Sequence, residues 1–381
     1  MWAIKCGLLY TGKPNEVLKN VYIVVDGRRI AGISQEKPDC EVVSEAPVAT
    51  PAFIDPHSHI GMERAGEPSA EGEANEMMKS IITLADALDS IYMDDKSFKE
   101  SIEHGVLYSC VLPGSGNIIG GKAVVIRNYA SNTEDAFIKY AGIKAALGFN
   151  PRRQTQYKGD RPYTRMGVVA LFRNALINAR KQMKLIEKGK KVPEEIDPET
   201  DMLMDVLRGK HVLRVHLHKT DDIMTLLRLR YEFGLKVTIE HACDVNNEET
   251  FRKIKDAGIP IVYGPVDAFA YKTELKHESW RNIGKLVKVK PFYGLMTDHP
   301  VILQRNLLLQ LRFFRRFGLS RSECISIITK NNAEILGLDR ELGTIEHGKW
   351  ASIVLWNGDP FSLESYPIEV YAEGRKVYGG K

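Results

Sequence analysis

"PAFIDPHSHIGM", residues 51–62, runs from a short apolar stretch through Asp55 and a proline to His57 and His59. In an extended segment the side chains at i and i+2 point the same way, so the two imidazoles converge on one side, just past a strand end. Histidine is a mediocre strand former and costly to bury, so this placement calls for a use. Further along, "HGVLYSCVLPG", "FIKYAGIKAALG", "KHVLRVHLH", "LKVTIEHA", "GIPIVYGP" and "KPFYGLMTDH" repeat the format: a short apolar run closed by polar residues or glycine. Residues 221–234 and 247–258 each lie between two such runs and end at a glycine, as helices do. Strand and helix in alternation predict parallel βα units. About eight such strands would close a (β/α)8 TIM barrel, whose chemistry sits at the C-terminal strand ends. An open doubly wound sheet is the architecture that strand counting leaves beside it.

Outward from this core the style changes. Residues 1–50 alternate β-rich runs with turns, including an Asp26–Gly27 hairpin signal, and residues 345–381 return to the same style. The expectation is a small β-sandwich built from both ends, around a barrel over residues 51–344. Residues 150–210 exceed a normal βα loop. Within them Met166, Val169, Phe172, Leu176, Met183 and Ile186 recur at helical spacing, which predicts a helical insertion.

Composition narrows the function classes. The chain has 381 residues, 44% hydrophobic and 27% charged, with a net charge of +4, as an ordinary globular protein has. No long single-sign block marks a nucleic-acid or membrane arm. The Arg-rich "RFFRRFGLSR" (312–321) reads as an amphipathic helix with a solvated basic face. Five scattered cysteines without a CxxC pair suit a reducing compartment. The N-terminus lacks a signal-peptide core, and no apolar run nears the ~18–20 residues that cross a bilayer. A cytoplasmic location, a homo-oligomeric state and a small-molecule partner are the resulting expectations.

Other polar residues close the later strands as His57 and His59 close the first: His216 and His218 in "RVHLHKTDD", His241 in "TIEHACD", Asp298 in "MTDHP". Imidazoles and a carboxylate gathered from separate strand ends make a site for a divalent transition metal such as zinc or manganese. The array "FIDPHSH … VHLH … IEHAC … TDHP", followed by "AEILGLDRELGTIEHGKWASIVLW", resembles the amidohydrolase superfamily. "PGSGNIIGGK", "GIKAALGFNPRR", "RMGVVALFR" and "HLHKTDDI" resemble its imidazolonepropionase-related members in particular.

The resemblance implies a metal-bearing barrel, a sandwich from both chain ends, and hydrolysis of a C–N bond in an amide, cyclic amide or similar small molecule by metal-activated water. It makes His57 and His59 the first metal pair and His241 a later ligand. Asp298 becomes ligand, general base and then general acid. Between His216 and His218 the first is favoured as the middle ligand. Lys144, in "GIKAALG", stands where many relatives carry a carbamylated lysine bridging a second ion, so one or two ions per chain are expected; its alternative is an ordinary paired lysine. Arg152, Arg153 and Arg165 are candidates to hold a substrate carboxylate, because guanidinium donates bidentately, and Asn75 and Glu76 are expected to reach the site on the loop after the first barrel strand. Two rivals stand beside this reading: deamination of a heterocyclic amidine on the same scaffold, and a scaffold protein without chemistry. "GNIIGGKA" (116–123) nearly fits a phosphate loop, but Ala123 replaces the Ser or Thr, and the β-branched "VVIRNYA" opens no helix.

Overall fold

In the computed structural model, residues 1–152 and 160–379 are described. Arg153 lies outside them. The two chain ends build one seven-stranded sheet from β1 (Trp2–Tyr10), β2 (Val17–Asp26), β3 (Arg29–Ser34), β4 (Glu41–Pro51), β13 (Ile353–Trp356), β14 (Pro367–Ala372) and β15 (Arg375–Gly379). Its order is β15-β14-β13-β4-β1-β2-β3, one continuous hydrogen-bonded sheet built from both chain ends. Ile4, Cys6, Leu9, Ile23, Val25, Ile353 and Leu355 form its own core. The sheet meets the barrel at Ala52: β4 ends at Pro51 and β5 (Phe53–Ser58) begins one residue on.

The second sheet has eight strands in the order β12-β11-β10-β9-β8-β7-β6-β5. Its further members are β6 (Val106–Val111), β7 (Ile119–Arg127), β8 (Phe137–Ala146), β9 (Leu213–Leu217), β10 (Val237–His241), β11 (Ile261–Tyr263) and β12 (Tyr293–Leu295). One strand departs from the expected all-parallel arrangement: β7 runs antiparallel to both β6 and β8. The connection from β6 to β7, residues 112–118, is too short for a crossover helix, so the chain must turn back on itself. The phosphate-loop-like stretch is therefore a turn and the start of a strand. Gly121 there has φ 109°, and a Cβ on it would lie 2.2 Å from the Ala85 carbonyl oxygen.

The expected insertion is present as helices at Arg165–Glu187 and Pro198–Leu207. Val168, Phe172, Leu176 and Ala179 are the buried stripe of the first, whereas Met166 faces solvent at 78% exposure. The Arg-rich stretch forms a helix at Leu311–Arg316, with Phe313 and Phe314 inward and its arginines outward. Among the described residues no helix is long and apolar enough to cross a membrane.

Closure of the barrel relies on side chains, because β12 is only three residues long. Buried Asn332 donates to the carbonyls of Ile54 (2.7 Å) and Leu295 (2.9 Å) and accepts from the Leu295 N–H (3.2 Å), stitching β5 to β12. It follows a π-helical stretch, Ile327–Asn331, whose last residue donates to the Tyr293 carbonyl. Gly294 is required opposite: a Cβ there would fall 1.9 Å from Asn332 Oδ1. Nearer the mouth, Asp55 accepts from the Thr297 hydroxyl and backbone N–H and from Gln304 Nε2. Ser58 and His299 complete the seam with a parallel bridge. Replacing Asn332 by Ala leaves buried backbone groups unpaired, and urea unfolding is expected to show a loss of about 3 kcal/mol, at unfilled-partner costs of ~1–3 kcal/mol each. A loss below about 0.5 kcal/mol would refute the seam's dependence on this side chain.

Candidate metal centre

Every strand-end residue singled out from sequence lies at the same end of the barrel. His57 is in β5, Lys144 in β8, His216 in β9 with His218 one residue beyond it, His241 ends β10, and Asp298 follows β12. The rings gather closely: His57 to His241 at 4.9 Å, His216 to His241 at 4.4 Å, and His218 to His241 at 4.6 Å between centroids. Ligand-capable atoms of His57, His241 and Asp298 lie within 4.8 Å of one another, as do those of His216, His218 and His241. His241 (φ 82°) and Asp298 (φ 52°) hold left-handed backbone, a costly conformation for non-glycine residues that recurs at functional sites.

The imidazoles are aimed by their outer nitrogens. His57 Nδ1 lies 2.8 Å from Glu240, His59 Nδ1 2.8 Å from the Leu112 carbonyl, and His241 Nδ1 2.9 Å from the Gly264 carbonyl. Each partner can only accept, so Nδ1 carries the proton and Nε2 keeps its lone pair for the cluster. Asp298 Oδ1 sits 3.4 Å from His57 Nε2 and 3.3 Å from His59 Nε2. Burial lowers the pKa of His57, takes His216 down to about 4, and puts His218 and His241 well below the usual imidazole range. Neutral imidazoles are the form that ligates metal. For Asp298 burial works against ionisation, but His241, His57 and His59 outweigh it and hold the carboxyl well below its ordinary value.

The donor set fits a cation on a further ground. His216 Nδ1 and both nitrogens of His218 are buried without a hydrogen-bond partner, and each neutral ring has one lone pair that a cation could take up. Lys144 is fully buried, with Nζ 3.3 Å from His57 Nε2, and burial pushes its pKa down to about 8. An amine so placed is neutral far more often than a surface lysine.

Two carboxylates that the sequence reading missed stand behind the histidines. Glu240 accepts from His57, from Arg214 (3.2 Å) and from Thr238 (2.5 Å), all buried. Burial raises its pKa, but Arg214, His57 and Thr238 override that and hold it at about 2. Its place directly before His241 was the available signal, masked because adjacent strand residues ordinarily face opposite ways. Glu274, on the segment after β11, lies 3.2 Å from His216 Nε2 and 3.8 Å from His218 Nε2. No local motif marks it.

The candidate substrate-holding residues among the described ones engage partners other than the histidines. Arg165 pairs with Asp222 at 2.6 Å, and Arg152 lies over the Phe149 ring at 5.2 Å. Asn75 accepts from the Gly116 N–H (2.7 Å), and Glu76 accepts from the Met78 N–H (2.7 Å). Both line a cavity of about 540 Å3 that none of the histidines lines. A much smaller cavity, about 30 Å3, touches the cluster itself and is lined by His218, Cys243, Tyr271, Leu275, Glu278 and Asp298 among others.

The chain is similar to known proteins over its whole length. The crystal structure of an amidohydrolase from Thermotoga maritima MSB8 superposes with a TM-score of 0.92 at 31% identity, covering 100% of both chains. The chain belongs to the amidohydrolase family. The amidohydrolase family model matches residues 203–379. Amidohydrolase tasK of Hapsidospora irregularis is 25% identical over 92% of this chain, which spans only 39% of that protein's length. An imidazolonepropionase of Picrophilus torridus is 21% identical over 92% of this chain and 89% of its own. Membership places the chain among hydrolases acting on carbon–nitrogen bonds.

Glu240 balances the buried Arg214 guanidinium. Glu240→Gln is expected to destabilise the fold by about 3 kcal/mol, as removal of one partner of a buried ion pair does, and to weaken metal binding ~10- to 100-fold. Thermal unfolding and metal titration check both; unchanged metal affinity would refute the link to His57.

Proposed function

We infer that the protein hydrolyses the C–N bond of an amide, cyclic amide or similar small molecule at a centre of one or two divalent ions, zinc or manganese, held by His57, His59, His241 and Asp298 with His216 or His218. The observation that carries this reading is the convergence of His57, His241 and Asp298, and of His216, His218 and His241, into two groups of ligand atoms each within 4.8 Å.

A bound divalent metal supplies an acidified water and a polarised carbonyl. The protein's own part is proton handling and orientation. Asp298, ionised among imidazoles, accepts a proton from the attacking water as oxygen bonds to the carbonyl carbon, then delivers it to the nitrogen as the C–N bond breaks. His57, His59 and His241 keep their lone pairs on the reaction side through the acceptors on Nδ1. Lys144 would help to hold a second ion as a carbamate, formed when its neutral amine adds carbon dioxide at Nζ and releases a proton. Its burial and its contact with His57 support that role. Asn75, Glu76, Arg152, Arg153 and Arg165 remain proposed substrate-side residues, with Arg165 needing to leave Asp222 to serve.

Asp298→Asn separates ligand from catalyst. Asparagine can still present a carbonyl oxygen but accepts no proton near neutral pH. Most metal should stay bound while amide hydrolysis falls by ~10²- to 10⁴-fold, the usual range for general acid–base catalysis. Near-normal turnover, or a loss that tracks metal loss alone, would overturn the assignment. Lys144→Ala is expected to lower the metal content by about half and to regain part of its activity with added short carboxylates. Unchanged metal stoichiometry would leave Lys144 an ordinary buried lysine. Ammonia release from a heterocyclic amidine, with amides untouched, would move the reading to a deaminase.

A further inference from the structure

We propose that Glu274 is a positioning residue that latches the segment 267–276 onto His216, so that one side chain governs both access to the cluster and the setting of its ligands. The second half of this proposal rests on the metal-dependent reading above.

The segment crosses the mouth of the barrel after β11. Beyond it the chain is pinned: the His277 N–H donates to buried Asp244, and Asn282 Nδ2 donates to the carbonyls of Cys243 (3.2 Å) and His277 (2.9 Å). Before it the Val266 N–H donates to Gln310 at 2.7 Å. Between these anchors the residues are exposed or half-buried except Glu274 and Leu275, with Phe269 at 84% exposure. The span thus has little apolar burial to hold it down, and segments of that kind open most readily.

What holds it is a built seat for one carboxylate. Glu274 Oε2 accepts from the Phe149 N–H at 3.0 Å, beside Gly148, where a Cβ would come within 3.0 Å of the same oxygen. Oε1 accepts from Lys272 Nζ at 2.7 Å and faces the two histidine Nε2 atoms. One oxygen is therefore given to the barrel rim and the other to the cluster. The cavity beneath, about 30 Å3 and lined by Tyr271, Lys272 and Leu275 together with His218 and Asp298, is about the size of one water, so lifting this span would widen the way to Asp298. Lifting it takes Glu274 with it and leaves His216 without its partner. Glu240 performs the equivalent service for His57 from inside the barrel, on a strand that cannot lift. The two carboxylates differ in mobility, and that difference is what makes Glu274 a latch.

The test uses amide hydrogen exchange over residues 267–276 in metal-free protein, together with the rate of zinc release to a chromogenic chelator from zinc-loaded protein. In Glu274→Ala, exchange should rise at least about tenfold, as local opening becomes easier, and zinc release should quicken ~10- to 100-fold. Glu274→Gln keeps the shape and an oxygen acceptor for His216 but turns its NH2 towards the Phe149 N–H, so it should restore slow zinc release only in part. Wild-type exchange in Glu274→Ala would overturn the latch, and unchanged zinc release in a folded variant would overturn the coupling. If the unmodified protein took up no zinc, the metal reading would fall, while the metal-free exchange experiment would still decide whether Glu274 holds the segment.

Discussion

A short last strand has to meet the first, and the hydrogen bonds that achieve this also build the site. With β12 only three residues long, its backbone supplies little of the ladder that barrel closure needs. Asn332 takes over one stretch of the seam, and Asp55 with Thr297 and Gln304 takes the next. Asp55 is two residues before His57, and Thr297 directly precedes Asp298. Burial raises the Asp55 pKa to about 6 against the pull of its hydrogen bonds. That carboxyl is held where it is costly, and its position ties the first and last strands together at the level of the histidines.

The parts of the molecule legible in sequence were those written locally. His57 and His59 announced themselves through two-residue spacing, and His241 and Asp298 through their recurrence at run ends. The helix ending at Gly234 and the insertion helix followed from glycine and apolar periodicity. The reversal of β7 was less visible, since a strand reads the same in either direction and only the short connection of residues 112–118 betrays the turn. Arg165 looked suited to a substrate carboxylate by residue type, yet Asp222, far along the chain, takes it. Glu274 and Asn332 gain their meaning from contacts across long sequence separations, where no spacing rule reaches. Glu240 was hidden by the alternation rule itself, because the left-handed backbone at His241 breaks the rule at that position.

Charge in the interior is arranged in opposed layers. Below the imidazoles lie Arg214 and Glu240, paired at 3.2 Å and both almost wholly buried. Above them Lys272 and Glu274 form a second pair at 2.7 Å, with side chains 7% and 2% exposed. Each layer sets a carboxylate against a histidine and a fixed cation behind the carboxylate. The imidazoles between them stay neutral, and the lone pairs point inward.

The antiparallel course of β7 has a consequence for how this barrel can change. Its first residues, beside Lys144 in the ladder, stand at the mouth, and its last residues stand at the opposite end with Tyr129 and Arg127 against Glu373 of the terminal sheet. One rim connection, residues 112–118, thus serves two strands, and the turn after β7 opens away from the chemistry. Ser131 and Asn132 in that turn are exposed. Sequence drift, insertions or a grafted label there would lie far from the histidine cluster, while a single added residue in 112–118 would disturb the stretch whose Leu112 carbonyl orients His59. Tolerance to variation is therefore unevenly distributed around a rim that a fully parallel barrel would divide among eight loops.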